Sequence, residues 1–196
     1  MNKNATTNYP IMVELQERWS PRAFDTTFEI TDEQWGSLME AARWAPSSSN
    51  TQPWRFIVAR RGTELFHTVH SILASGNQVW TSEVSALIVN VYATETEEGK
   101  PLRHGLYDLG QAAAHFSVQA AHMGLHVHQM SGFDAEAMHK ALGLEERFVP
   151  SVMMAVGKLA DPSVLPENLA EREAAPRTRK PLGVVAPGLF SQGQEL

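Results

Sequence analysis

Apolar residues recur along this chain with two different periods, and the changes of period outline its elements. Over 31–43, Trp35, Leu38, Met39 and Ala42 fall at i, i+3, i+4 and i+7, the single apolar stripe of a helix. Thr31 is placed to cap it and Gln34 to reach back as the capping-box partner, while Asp32 and Glu33 suit the positive end of the helix dipole. Pro46 stops the element and leaves a polar loop over 47–53. Positions 54–59 then read as a strand and 84–92 as a second, more continuously apolar one, with a helix over about 63–73 between them. Over 108–123 nearly every position is small or apolar, including Gly110, Ala112, Ala113, Ala114, Ala120 and Ala121. That composition suits burial and the close approach of another helix, and places this element at a subunit interface. Gly124 ends it; 125–129 reads as a strand leading into a turn at Ser131-Gly132, 135–142 as a short helix and 152–156 as another buried strand. Beyond Gly157, prolines and charges break the pattern, which fits disorder. Leu182, Val184, Val185, Leu189 and Phe190 fit equally an arm over 158–196 that packs on a partner subunit.

A chain of 196 residues has room for one domain with a full core, so the reading is a single domain over 1–196. The formal net charge of -6 argues against nucleic acid or an anionic membrane as a partner and requires any bound anion to meet a local basic cluster. There is no cysteine, which removes disulfides, thiolate nucleophiles, cysteine-ligated zinc and iron–sulfur clusters together. Redox work then needs a borrowed cofactor. The segment 1–10 is polar and no apolar run reaches the length of a membrane span, so a cytoplasmic protein is expected.

Two segments stand out chemically. Arg18-Trp19-Ser20-Pro21-Arg22 places two guanidinium groups and a hydroxyl close together, a set suited to a phosphate because arginine engages it bidentately. Alone, it fits two solvated arginines as well. The loop Pro46-Ser47-Ser48-Ser49-Asn50-Thr51-Gln52-Pro53 is richer in hydroxyl and amide groups than a connection needs. His115, His122, His126 and His128 lie close in sequence, but Gly124 interrupts any helical ligand spacing and no metal site is expected. The serine run lacks a Gly-x-Ser-x-Gly elbow, and the chain lacks Gly-x-Gly-x-x-Gly and Walker motifs. A serine hydrolase, a Rossmann domain and a nucleoside triphosphatase therefore lose support.

These two segments, in this order and spacing, resemble the nitroreductase family, with its Arg-x-Ser-x-Arg/Lys segment and its Pro-Ser-Ser-x-Asn-x-Gln-Pro-Trp loop. The resemblance extends to Asn77, Gly110, Gly124-Leu125, 128–133 and the basic run 177–182. It implies an α+β fold, a mixed and mainly antiparallel sheet surrounded by helices, in an intertwined homodimer. It also implies FMN as cofactor and NADH or NADPH as electron donor, with ping-pong reduction of a small acceptor such as a nitroaromatic or quinone. Enal or semialdehyde reduction, dehalogenation, and a poorly catalytic flavin carrier or sensor stay open. By position, Arg18 and Ser20 resemble phosphate ligands, with Trp19 contributing its backbone, and Arg22 resembles the cation beside the flavin pyrimidine. Asn77 resembles the amide that reads the pyrimidine edge. Pro46, Ser47, Ser48 and Asn50 match a loop approaching the flavin of the other subunit; Gln129, Met130, Ser131 and Gly132 match the segment passing flavin N5, and Arg177 and Arg179 the late basic pair. No side chain is expected to act as nucleophile or acid–base catalyst, since the chemistry resides on the flavin.

Overall fold

In the computed structural model, which describes residues 3–190, a short helix α1 (Val13–Glu17) is followed by the capped helix foreseen from the periodicity. Thr31 Oγ1 accepts from Gln34 N at 3.2 Å and Gln34 Oε1 accepts from Thr31 N at 3.0 Å, a complete capping box that starts α2 (Asp32–Arg43). The polar loop then leads into β1 (Trp54–Arg60). The helix expected over about 63–73 is α3 (Glu64–Ser71), and a further helix that the periodicity did not indicate, α4 (Ser75–Thr81), follows it. A pairing between Leu73 and Phe133 and a hydrogen bond from Ala74 N to Gly132 O divert the chain between them, a tertiary cause that local periodicity does not carry.

β2 (Ala86–Ala93) is followed by α5 (Gly105–His122), which begins before the expected position 108, and by β3 (His126–Met130). Gly124, at φ +69°, occupies the left-handed conformation that ends α5 and keeps His122 and His126 from sharing a helical face. After α6 (Ala135–Ala141) comes β4 (Phe148–Gly157), longer than the 152–156 expected. Pro150, which masks the start of this strand in the sequence, pairs with Val91 where the register shifts between Asn90 and Val91. A bulge is where a strand tolerates proline. Two more helices, α7 (Glu167–Ala174) and α8 (Leu182–Val185), lie in the tail that gave no periodic signal.

The four strands form one sheet in the order β1-β2-β4-β3, the mainly antiparallel sheet of an α+β fold that was expected, with every pairing among the described residues antiparallel. β2 and β3 do run in the same direction, as a strand–helix–strand unit requires, but β4 lies between them and each pairs with it. Helices cover both faces. Ala86 and Ile88 of β2 belong to a core with α2 and α5, built around Leu38, Phe116 and Met154. Leu87, Val89 and Val91 belong to a second core with Phe66, Val69 and Trp80, so β2 is apolar on both sides, which is why its sequence reads as a continuous apolar run. Leu169 of α7 joins that second core, and the tail begins with a pairing between Leu159 and Phe24, so the tail's first half packs on its own chain. Val184, Val185 and Leu189 beyond it are exposed, and 191–196 of the expected arm lie outside the described residues. Among the described residues, no helix is long and apolar enough to cross a membrane.

Candidate functional site

The end of α1 delivers the first basic segment: Arg18 N donates to Glu14 O at 2.9 Å, and the chain then runs past the C-terminal end of α5, where Glu14 Oε1 is 2.9 Å from His122 Nδ1. Arg18, Trp19, Ser20 and Arg22 line a cavity of about 250 Å³ together with Arg177 and Arg179 from the distant tail. The sequence motifs 18–22 and 177–179 thus meet in space. Lys3 and Arg172 join the same wall, two cations that the sequence reading did not identify. Burial, with Arg177 and Arg179 nearby, pulls the Arg18 guanidinium below the ordinary arginine range. Burial and then Arg179 do the same to Arg177. A dianion entering this space would relieve that repulsion and gain charge-assisted hydrogen bonds, so the donor set fits a phosphate monoester.

Arg177 and Lys3 have part of their donor capacity already committed. Arg177 donates to Lys3 O at 2.7 Å and to Gln16 O at 2.8 Å, tying the tail to the N-terminal segment. Lys3 Nζ donates to Ala175 O and lies over the Trp19 ring, 4.9 Å from its centroid. Glu173, only 1% exposed, accepts from Arg22 N at 2.7 Å and Ala23 N at 3.0 Å through one oxygen. Its other oxygen lies 3.9 Å from the Arg22 guanidinium. Glu173 therefore sets the backbone of the 18–22 segment from α7. The available signal was Leu169 and Glu173 at i, i+4 in a helix of otherwise exposed residues, but a glutamate there reads in sequence as solvated.

A second connection runs through β3. His128 Nδ1 donates to Pro21 O at 2.8 Å, and its ring packs against Trp80 of α4 at 4.6 Å. Burial pushes the His128 imidazole down to about 4, with the Arg22 charge acting in the same direction against the helpful Pro21 carbonyl. The ring is neutral near pH 7. Burial and then Arg18 also lower His126. One helical turn before Trp80, Asn77 Nδ2 donates to Gly132 O at 3.0 Å. A Cβ on Gly132 would lie 2.7 Å from that same nitrogen, so only glycine permits the contact. Asn77, Ser131 and Gly132 are thereby grouped at the end of β3. Met130 points its side chain into the second core and leaves only its backbone to a ligand, whereas Gln129 projects to the other side, donating to Ser117 Oγ at 3.2 Å.

The polar loop lies elsewhere. Ser48 N donates to Asp108 Oδ2 at 3.1 Å, which fastens the loop to the N-terminal end of α5. Asp108, buried at 2% exposure, was read in sequence as a helix-opening residue and proves to be the loop's anchor. Ser49, Asn50 and Gln52 all have positive φ, near +50°, a conformation rare for side-chain-bearing residues and common where a loop is shaped for a ligand. Gln52 N donates to Ser47 Oγ at 3.1 Å, and Gln52 Nε2 to Asn50 Oδ1 at 3.1 Å, so the loop's own polar groups maintain this shape. From Asp108 to His122, α5 runs about 21 Å at its rise of about 1.5 Å per residue. One chain therefore holds Pro46, Ser47, Ser48 and Asn50 at one end of α5 and the cationic cavity at the other.

A family model described as "Nitroreductase family" matches residues 15–78 and 63–158 of this chain. The chain is 37% identical over 140 residues to the 15.4 kDa protein in the ask 5′ region of Mycolicibacterium smegmatis, covering 67% of this chain and 93% of that protein. It is 26% identical over 186 residues to the oxygen-insensitive NAD(P)H nitroreductase of Salmonella typhimurium, covering 74% and 85% of the two chains. Among solved structures, an oxidoreductase described as containing FMN superposes with a TM-score of 0.88 at 36% identity, covering 96% of this chain and 97% of that one.

Proposed function

The chain belongs to the nitroreductase family, and from that premise we propose that it is an FMN-dependent NAD(P)H oxidoreductase that reduces nitroaromatics, quinones or similar acceptors as a homodimer. The nitroreductase named above and the FMN-containing structural neighbour support the cofactor and the donor. The observation that carries the reading is the geometry of the two ligand segments. The cations around Arg18 form a phosphate-sized anion site, and the strained loop at Ser48 lies at the opposite end of a rigid helix. Two such ends serve one ligand when a twofold axis sets two copies of α5 antiparallel, bringing the loop of one chain to the cations of the other. The outward face of α5 suits that packing: Tyr107, Gly110 and Ala114 are exposed on it, small enough at two positions for a partner helix to approach. Val184, Val185 and Leu189 of the tail offer further apolar surface for the partner to cover.

When bound, FMN supplies a hydride acceptor and donor at N5. The chain's own residues bind and orient it. Arg18, Ser20, Arg177 and Arg179 would hold the phosphate, and Arg22, permanently charged and partly buried, would supply a positive potential to the pyrimidine. Asn77 and the N–H groups of the Ser131-Gly132 turn read the flavin edge. No side chain is required as a nucleophile, and one site serving donor and acceptor in turn would give ping-pong kinetics.

The test is spectroscopic. The purified protein is expected to be yellow, to release FMN on denaturation, to bleach with NADH or NADPH without oxygen, and to recover its colour on adding a nitroaromatic. Release of FAD, or a colourless protein that takes up no flavin, would overturn the reading.

A further inference from the structure

The connection between β2 and α5 sorts its charges between two cavities. Glu97 and Glu98 face a cavity shared with Arg55 and Arg147, and Glu97 lies 3.8 Å from Arg147. Lys100, Arg103 and His104 line the neighbouring cavity, of about 240 Å³, across Thr51, Thr96 and Leu102, which border both. Its other wall is formed by Ser48 and Ser49 of the strained loop. Neither Lys100 nor Arg103 makes an ion pair among the described residues. The one carboxylate in this cavity, Asp108, is buried and already accepts from Ser48 N. The first turn of the 18-residue α5 opens here as well, with His104 at the cap position making no side-chain cap bond, so the helix turns its positive end to the same space.

We propose that this cavity is an anion subsite for the reactant that exchanges electrons with the flavin, binding a phosphate monoester or a carboxylate carried by that reactant. The inference rests on the reading that the 46–52 loop meets the partner's flavin, which places the cavity at the mouth of the active site. Its wall of ammonium, guanidinium, imidazole and hydroxyl groups supplies donors to an oxyanion, and arginine engages either anion bidentately. The acidic residues of the same connection line the other cavity, where Glu97 pairs with Arg147, and leave the charge of Lys100 and Arg103 without a paired carboxylate. Two sources carry the required group: the 2′-phosphate that distinguishes NADPH from NADH, and an acidic acceptor.

The FMN-loaded protein and its Lys100→Ala/Arg103→Ala variant would be titrated by calorimetry with adenosine 2′,5′-bisphosphate and with 4-nitrobenzoate. Adenosine and 4-nitrobenzamide, which carry neither a phosphate nor a carboxylate, are the controls. Binding of at least one anionic probe is expected to weaken tenfold or more in the variant while its control is unchanged. Loss confined to the bisphosphate identifies the donor as the source, and loss confined to nitrobenzoate identifies the acceptor. Equal binding of both probes to both proteins overturns the subsite, as do an equal loss for the controls and the absence of probe binding to the unaltered protein. Should the protein take up no FMN, the proposed function fails and the reactant subsite with it, whereas an unaltered FMN-loaded protein that binds neither probe overturns the subsite alone and leaves the proposed function standing.

Discussion

The main-chain N–H of Arg22 and its guanidinium meet different oxygens of Glu173, the first in a hydrogen bond at 2.7 Å and the second in a looser ion pair at 3.9 Å that leaves it lining the cavity. The hydrogen bond that places the backbone is thereby distinct from the charge proposed to tune the flavin. In Arg22→Ala the backbone contact to Glu173 survives, and the phosphate retains Arg18, Ser20, Arg177 and Arg179. Removing one charge-assisted hydrogen bond costs about 1.5–3 kcal/mol. If reduction is where that bond matters, since reduction adds negative charge to the pyrimidine, the two-electron potential falls by about 30–65 mV, taking about 30 mV per 1.4 kcal/mol. A potential measurement on flavin-loaded Arg22→Ala, with oxidised FMN binding measured beside it, checks this. An unchanged potential with weakened FMN binding would assign Arg22 to the phosphate instead. At this scale the cations were legible in sequence because an Arg-x-Ser-x-Arg run is chemically unusual, whereas Glu173 was not, since its role arises only from burial against backbone more than a hundred residues away.

Between elements, His128 is the joint: β3 carries it, Pro21 receives its hydrogen bond and α4 packs Trp80 on its ring. The native state holds this imidazole neutral down to about 4, while the unfolded chain protonates it near 6.5. The sign follows directly. Its stability contribution is complete above about pH 6.5 and is lost as pH falls toward 4, because only the unfolded state gains the proton in that window. At about 1.36 kcal/mol per unit, the full effect reaches about 3 kcal/mol. Chemical denaturation between pH 4.5 and 7.5 is expected to show stability rising with pH, and His128→Gln, which keeps a donor for Pro21, to flatten much of that slope. His126, shifted in the same direction, supplies the remainder. An equally steep slope in the variant would remove His128 from this role. The cap, stripe and stop of α2 were readable because they are local. The break between α3 and α4 was not, because the cause, Gly132 and Phe133, lies about 60 residues away along the chain.

For the whole molecule, the proposed sharing of each site between two chains makes a prediction about mixing. A chain with Arg18→Ala and Arg22→Ala and a chain with Ser47→Trp and Ser48→Trp are each expected to be inactive alone. In a heterodimer, one site receives both defects and the other receives neither. Random reassortment of equal amounts then restores roughly a quarter of the sites. Activity after mixing, measured alongside proof of heterodimers, checks it; heterodimers without recovery would place the whole site in one chain. By itself, the sequence determined whatever depends on neighbours within a turn or a few residues: the α2 cap, the buried strand at β2, the Gly124 stop, the basic 18–22 segment and the polar loop. Tertiary structure decided which of these meet. It brought Arg177 and Arg179 to Arg18, Asn77 to Gly132 and Glu173 to Arg22, and it set the Ser48 loop at the far end of α5 from all of them. The physical reason is that local propensity and periodicity act through the backbone at short range. Charge clustering and burial depend on distances in space, which only the packed sheet and helices define.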